Sequence, residues 1–252
     1  MNRERQRWTN LASRNPYWAV VSWPEFHEND LDEDAIRRFF ESGERHVASV
    51  LATVRAHVDP DFELGRALEY GCGVGRIAIP LARVCEHVVA VDISEAMLSE
   101  TEANCASRAI TNIDLARADE FLAAPDDAYS FDFAHSFVVL QHIAPNTGMP
   151  IIECILRRLS PGGVGALHVT YADRAGPLRR SAHRLRRRFR LVGAALNLLQ
   201  GRPLAEPVIP MYEYNLVDLF EVFGRYGCTA LHAELTDHSG HLGALFLFRK
   251  PG

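Results

Sequence analysis

The stretch "ALEYGCGVGRIAIPLA", residues 67–82, sets Gly71, Gly73 and Gly75 at alternate positions between a strand-like apolar run and a helix-like one. A chain that turns so sharply from strand to helix, on residues without a Cβ, fits an open α/β sheet whose strand ends face a ligand. The alternation then continues. "RIAIPLARVC" carries Ile77, Leu81 and Val84 at helical spacing, "HVVAVDI" is rich in β-branched residues, and "SEAMLSETEANCASRA" is a helix with Ser94 at its N-cap. "NIDLARA" and "SFDFAHSFVV" are two more strands, "PNTGMPIIECILRRL" a helix, and "GGVGALHVTY" a fifth strand entered through "SPGG". Strands separated by helices make a parallel sheet covered on both faces and wound by right-handed crossovers.

The carboxyl end breaks this pattern. "NLVDLFEVFGRYG" reads as a helix closed by Gly227, and "CTALHAEL" and "GALFLFRK" are strands joined only by "TDHSGHL". That link is too short for a helical crossover, so the last pair is antiparallel. The expected fold is α/β: a doubly wound, Rossmann-like seven-stranded sheet, mostly parallel, with an antiparallel C-terminal hairpin. An N-terminal helical lid (1–60) and an inserted helical cap (173–215) are added to a core formed by 61–172 and 216–252.

Charge and cysteine usage narrow the function. The net charge of −5 gives no overall case for nucleic acid. Five scattered cysteines without CxxC spacing suggest neither zinc nor disulfides and fit a reducing cytoplasm. No run reaches the roughly 18 apolar residues of a membrane span, so stable membrane insertion is not expected. Every basic residue but Lys250 is arginine, a bias that fits a bacterial source. A dinucleotide fingerprint wants glycine three places after Gly73, where Arg76 stands.

From Phe62 to Arg249 the chain resembles the class I S-adenosylmethionine-dependent methyltransferases of the bacterial small-molecule type. The resemblance rests on Glu69-Tyr-Gly71-Cys72-Gly73-Val-Gly75, on Val91-Asp92-Ile93-Ser, on Asp119 after the third strand, on Phe131-Asp132-Phe, and on Leu159-Ser-Pro-Gly162-Gly163. It implies S-adenosylmethionine as cofactor, with the glycine turn, Cys72 included, beside its amino-acid portion and Glu69 facing its ammonium. Asp92 would accept from the ribose hydroxyls, Ile93 would pack on adenine, and Asp119 would accept from the adenine amine. Glu120 and Ser136 complete the expected cofactor set. Cys72 reads as a compact filler rather than a reactive thiol.

The resemblance also places "VVLQHIAP" beside the methyl group, where His142 is a candidate general base with Gln141 next to the acceptor. A hydrogen-bonding or stacking role for His142 is the alternative. A subset of ubiquinone-pathway O-methyltransferases with Glu-His here has a metal nearby; glutamine is a poor ligand for a hard cation, so no metal is expected. His135, within the fourth strand, reads as a core histidine.

Substrate choice falls to the two peripheral segments. The first contributes Tyr17, Trp18, Trp23 and Phe26, as a lid or as a packed layer, followed by a helix capped by Asp32 or Asp34 and broken near Ser42-Gly43. Bacterial relatives resemble it through "NPYWAV" and "FFESGERHV". In the second, Leu178 through Leu199 form a helical stripe, and residues 174–190 hold eight arginines and no acid. That helix, at 177–200, reads as a solvated cap, as a homodimer contact or a cover over an acidic substrate, or as a face for anionic membrane or nucleic acid. Tyr212 and Tyr214 follow it as candidates for the pocket mouth. The expected activity is methyl transfer to a small molecule, at oxygen rather than nitrogen; a macromolecular acceptor and a non-catalytic binding protein are the alternatives.

Overall fold

The computed structural model describes residues 2–27, 30–174 and 210–252. The arginine-rich helix and most of the expected cap lie outside the described residues.

Seven strands form one sheet in the order β3-β2-β1-β4-β5-β7-β6. They are β1 (Arg66–Tyr70), β2 (His87–Asp92), β3 (Ile113–Arg117), β4 (Phe131–Ser136), β5 (Leu159–Asp173), β6 (Leu231–His238) and β7 (His241–Arg249). β1 to β5 pair in parallel, and β7 runs antiparallel to both β5 and β6. The chain reverses direction of winding between β1 and β4, so their carboxyl ends open a crevice, the usual ligand position of such sheets. The terminal hairpin is tighter than the sequence suggests. β6 extends to His238, and Ser239 and Gly240 at φ 57° and 92° make a two-residue turn suited to the twist of the strands.

The helices are α1 (Asn2–Ala12), α2 (Pro16–Val20), α3 (Glu33–His57), α4 (Ala78–Ala82), α5 (Glu95–Ser107), α6 (Ala118–Ala123), α7 (Pro145–Arg158) and, as α8, Leu216–Arg225. Their starts follow local chemistry. Asp32 accepts from Ala35 N at 2.6 Å, Ser94 from Met97 N at 3.4 Å, and Asn215 from Val217 N at 3.0 Å. Gly227, at φ 75°, follows the end of α8.

The break expected near Ser42-Gly43 is absent, and α3 runs unbroken for 25 residues. Gly43 is buried in it, and a Cβ there would overlap the Arg76 carbonyl oxygen. The glycine lets two backbones touch; it does not end the helix. α4 is likewise shorter than the run "RIAIPLARVC" suggests, only five residues.

Three apolar clusters hold the layers together. One packs α6, α7 and α8 on one sheet face through Phe121, Ile152 and Phe223. The second packs α3 and α4 on the other face through Val54, Leu81 and Phe133. The third joins the N-terminal segment to α3 and α5 through Leu11, Tyr17, Phe39 and Met97. The N-terminal segment is therefore a packed layer, and its inner side roofs the crevice.

Candidate active site

A cavity of about 840 Å³ lies over the carboxyl ends of β1, β2 and β4. Its floor is the glycine turn. Gly71, Gly73 and Gly75 have φ of 85°, 56° and 88°, where residues with a Cβ are strained. The turn is held to β2 by Gly71 N and Cys72 N, which both donate to Val91 O at 2.7 and 2.9 Å. Thr101 Oγ1 donates to Gly73 O at 2.7 Å, and Asn104 Nδ2 to Val74 O at 3.1 Å. From above, Val20 Cγ2 comes within 2.5 Å of the place a Cβ on Gly73 would occupy, so the roof rests directly on the turn.

Two carboxylates face the cavity from adjacent strand ends. Asp92 accepts from Gly73 N through Oδ2 at 3.0 Å and from Ser94 N through Oδ1 at 2.9 Å. Burial pushes its pKa up to about 6, against the lowering effect of these backbone donors. Glu69 is 2% exposed. Burial raises its carboxyl well above the usual range, with Arg76 opposing.

Glu69 Oε2 is bonded to His135 Nδ1 at 2.6 Å, and His135 Nε2 to His46 Nε2 of α3 at 2.9 Å. Burial, with repulsion from Arg76, pulls His135 down to about 3. Burial and the nearby His135 and Arg76 pull His46 to about 2. All three shifts run in the direction of the uncharged forms. His135 is thus more than the core histidine expected from the sequence.

His142 sits in a 3₁₀ turn over Leu140–His142, on the opposite wall. The Pro210 carbonyl can only accept, so His142 Nδ1 donates to it, at 2.9 Å. The remaining nitrogen, Nε2, lies 3.3 Å from Gln141 Nε2, which donates to it, while Gln141 Oε1 accepts from Thr170 Oγ1 at 2.9 Å. Burial lowers His142 to about 4. Trp8 packs edge-on against it at 5.4 Å. Val138, two residues beyond β4, has φ of 61°, an unfavourable backbone for a β-branched residue and a mark of a constrained site.

The sequence-expected residues divide. Glu69, Gly71, Cys72, Gly73, Asp92, Ile93, Gln141 and His142 line the cavity. Gly75 and Ser136 brace it: Gly75 N donates to Cys72 O at 3.0 Å, and Ser136 Oγ to Tyr70 O at 2.9 Å. The Cys72 thiol is buried and its pKa raised well above normal, so it is inert. Asp119 opens α6, held by Arg117 at 2.7 Å and Arg5 at 2.6 Å, and Glu120 beside it is largely exposed.

Four substrate candidates lie off the cavity wall. Tyr17 is buried, its hydroxyl donating to Asn104 Oδ1 at 2.9 Å and Glu100 Oε1 at 3.0 Å. Trp18 packs edge-on to His27. Tyr214 donates to the carbonyls of Leu140 and Ile143, at 3.1 and 3.0 Å. Tyr212 N donates to Gln141 O at 2.7 Å. Trp8, Val20, His46 and His238 line the cavity without having been singled out, as do Trp23, named with the lid aromatics, and Arg76, noted where a dinucleotide loop has glycine. For His46 a signal existed: it stands one turn after Gly43 in a helix whose buried stripe is Phe39, Phe40, Gly43, Val47 and Val50.

A family model described as "Methyltransferase domain" matches residues 67–163, the segment that carries the turn and both carboxylates. Over that segment, which is less than half of its length, the chain is similar to methyltransferase domains, and its sheet has the Rossmann-like methyltransferase fold. It is 30% identical over 103 residues to a ubiquinone biosynthesis O-methyltransferase of Maricaulis maris, a match spanning 41% of this chain and 39% of that relative's length. In fold it is similar to magnesium protoporphyrin IX methyltransferase from Synechocystis PCC 6803 with bound S-adenosylhomocysteine. That likeness has a TM-score of 0.60 and 17% identity, covering 98% of this chain and 97% of the other. It is also similar to the N-methyltransferase NodS from Bradyrhizobium japonicum WM9 in complex with S-adenosylhomocysteine. There the TM-score is 0.58 and the identity 16%, over 99% of both chains. At these identities the likeness shows the fold alone.

Proposed function

We propose that this chain transfers a methyl group from S-adenosylmethionine to a hydroxyl of a small molecule. The observation that carries the reading is the placement of Glu69 and Asp92 at neighbouring strand ends, one on each side of the glycine turn, facing a single cavity. The cofactor supplies a methyl group on a positively charged sulfur, open to in-line displacement.

The residues fit such a molecule. Asp92 has already spent one lone pair of each oxygen on backbone N–H groups, and the pairs that remain suit two ribose hydroxyls. Ile93, Ala118 and Leu122 give an apolar wall for a base. Asp119 and Glu120 stand outside the cavity lining, and Asp119, paired with Arg117 and Arg5 and still one-third exposed, is assigned to the base amine through its remaining lone pairs. Glu69 suits an ammonium group. Arg76 Nε, buried without a partner among the described residues, suits a carboxylate. What the protein then contributes is alignment and the exclusion of water by the roof of Trp8, Val20 and Trp23.

His142 is assigned to positioning rather than proton removal. One nitrogen is tied to Pro210 and the other is shared with Gln141. Residues 1–60 and 173–215 are assigned to acceptor choice. The preference for oxygen draws on the O-methyltransferase relative. The test is incubation with isotopically labelled S-adenosylmethionine and a panel of phenols, catechols, carboxylic acids and amines, read by mass spectrometry. Label in a hydroxyl compound is the expected result; label only in amines overturns the choice of oxygen.

A further inference from the structure

Cofactor binding alone does not require the series Glu69–His135–His46. A buried carboxylate is joined through one imidazole to a second, at 2.6 and 2.9 Å, across the gap between β1, β4 and α3. His46 lines the cavity, and with Nε2 bonded to His135 its Nδ1 is the ring nitrogen left to face the acceptor. Phe137, the first residue past β4, holds the ring at a centroid distance of 4.4 Å.

We propose that this series is a proton wire, and that His46 Nδ1 is the base that takes the proton of the methyl acceptor once the cofactor has bound. The inference rests on the reading above that Glu69 faces the cofactor's ammonium.

Two proton arrangements satisfy both bonds. In the neutral one, Glu69 O–H donates to His135 Nδ1, and His135 Nε2–H donates to His46 Nε2. His46 Nδ1 then bears a proton and cannot accept another. A cation placed beside Glu69 favours the carboxylate. Each proton then shifts one bond along: His46 loses its Nδ1 proton to water, His46 Nε2–H donates to His135 Nε2, and His135 Nδ1–H donates to Glu69. The outcome is a lone pair on His46 Nδ1, facing the cavity.

During transfer the acceptor oxygen gives its proton to His46 Nδ1, and its electron pair forms the new O–C bond. The S–C bond breaks with its pair on sulfur, and the wire returns the proton to Glu69. The other charged or titratable groups around His46 do not replace it. Arg76 and Arg45 are cations, and Asp92, the second carboxylate lining the cavity among the described residues, is engaged with backbone. His168 Nε2 is engaged with Thr236 Oγ1 at 2.8 Å, and His238 packs edge-on against the His168 ring at 5.3 Å.

The test needs no known acceptor. S-adenosylhomocysteine is titrated calorimetrically into the protein at neutral pH in buffers of differing ionisation enthalpy. ¹⁵N-histidine NMR then reads the His46 tautomer before and after binding. The expected result is release of about one proton per cofactor bound, with His46 changing from Nδ1–H to Nε2–H, and loss of that release in Glu69→Gln. Binding without proton release, with His46 still Nδ1–H, overturns the wire. No binding at all overturns the underlying cofactor reading instead. On an acceptor found by the panel above, His46→Gln is expected to lower kcat by about 100-fold, with a wild-type circular dichroism spectrum and a cooperative thermal transition as proof of folding. Unchanged kcat in that variant removes His46 as the base.

Discussion

Gly43 of α3 and Arg76 of the glycine turn meet backbone to backbone, with no room for a methyl group between them. This contact fixes the height of α3, and hence of His46, over the cofactor loop. Alanine at a helical position is worth about 1 kcal/mol over glycine. Overlap with a rigid carbonyl costs about 1–3 kcal/mol or more, and here it wins. Gly43→Ala should lower the melting temperature and weaken S-adenosylhomocysteine binding; a more stable protein would show that α3 is free to shift.

Tyr17 is read as a tether rather than an acceptor contact. Its hydroxyl bridges Asn104 and Glu100 of α5, and burial helps push its pKa up to about 12. Tyr17→Phe should cost about 1 kcal/mol of stability, measured by denaturant unfolding, with the acceptor profile unchanged. A changed profile at unchanged stability would return Tyr17 to the substrate site.

Asp92 supplies the pH dependence. Its folded value of about 6 lies above the unfolded one, so the empty protein favours the protonated form and loses that contribution as pH rises from about 4 to about 6. Ribose binding needs the ionised acceptor and runs the other way. Affinity for S-adenosylhomocysteine should therefore climb as pH rises through about 6, as seen by calorimetry across pH 5 to 8. In Asp92→Asn the part of the rise centred near pH 6 should vanish, leaving the part that proton release from the Glu69 series contributes.

Much of the site was legible because its signals are local. The glycine turn, the acids at strand ends and the caps at Asp32 and Ser94 depend on residues a few positions apart. The terminal hairpin followed from the length of one link. What was hidden depends on packing between distant segments. Gly43 reads as a helix breaker until Arg76 is seen against it. His135 reads as core filler until β4 sets it between Glu69 and a histidine 89 positions away. The aromatic N-terminal segment announces contact with the cavity, but which rings reach its lining, Trp8 and the largely exposed Trp23 rather than Tyr17 and Trp18, depends on the path of the segment and not on sequence order.

The central claim is that Glu69, Asp92 and the turn between them hold S-adenosylmethionine. Calorimetric titration of S-adenosylhomocysteine into the wild-type chain and into Asp92→Ala tests it most directly. Hydrogen bonds to a charged group are worth about 1.5–3 kcal/mol each, so saturable one-to-one binding in the wild type and a loss of about 100-fold in the variant are predicted. No binding to the wild type, or equal affinity in the two proteins, would contradict the account.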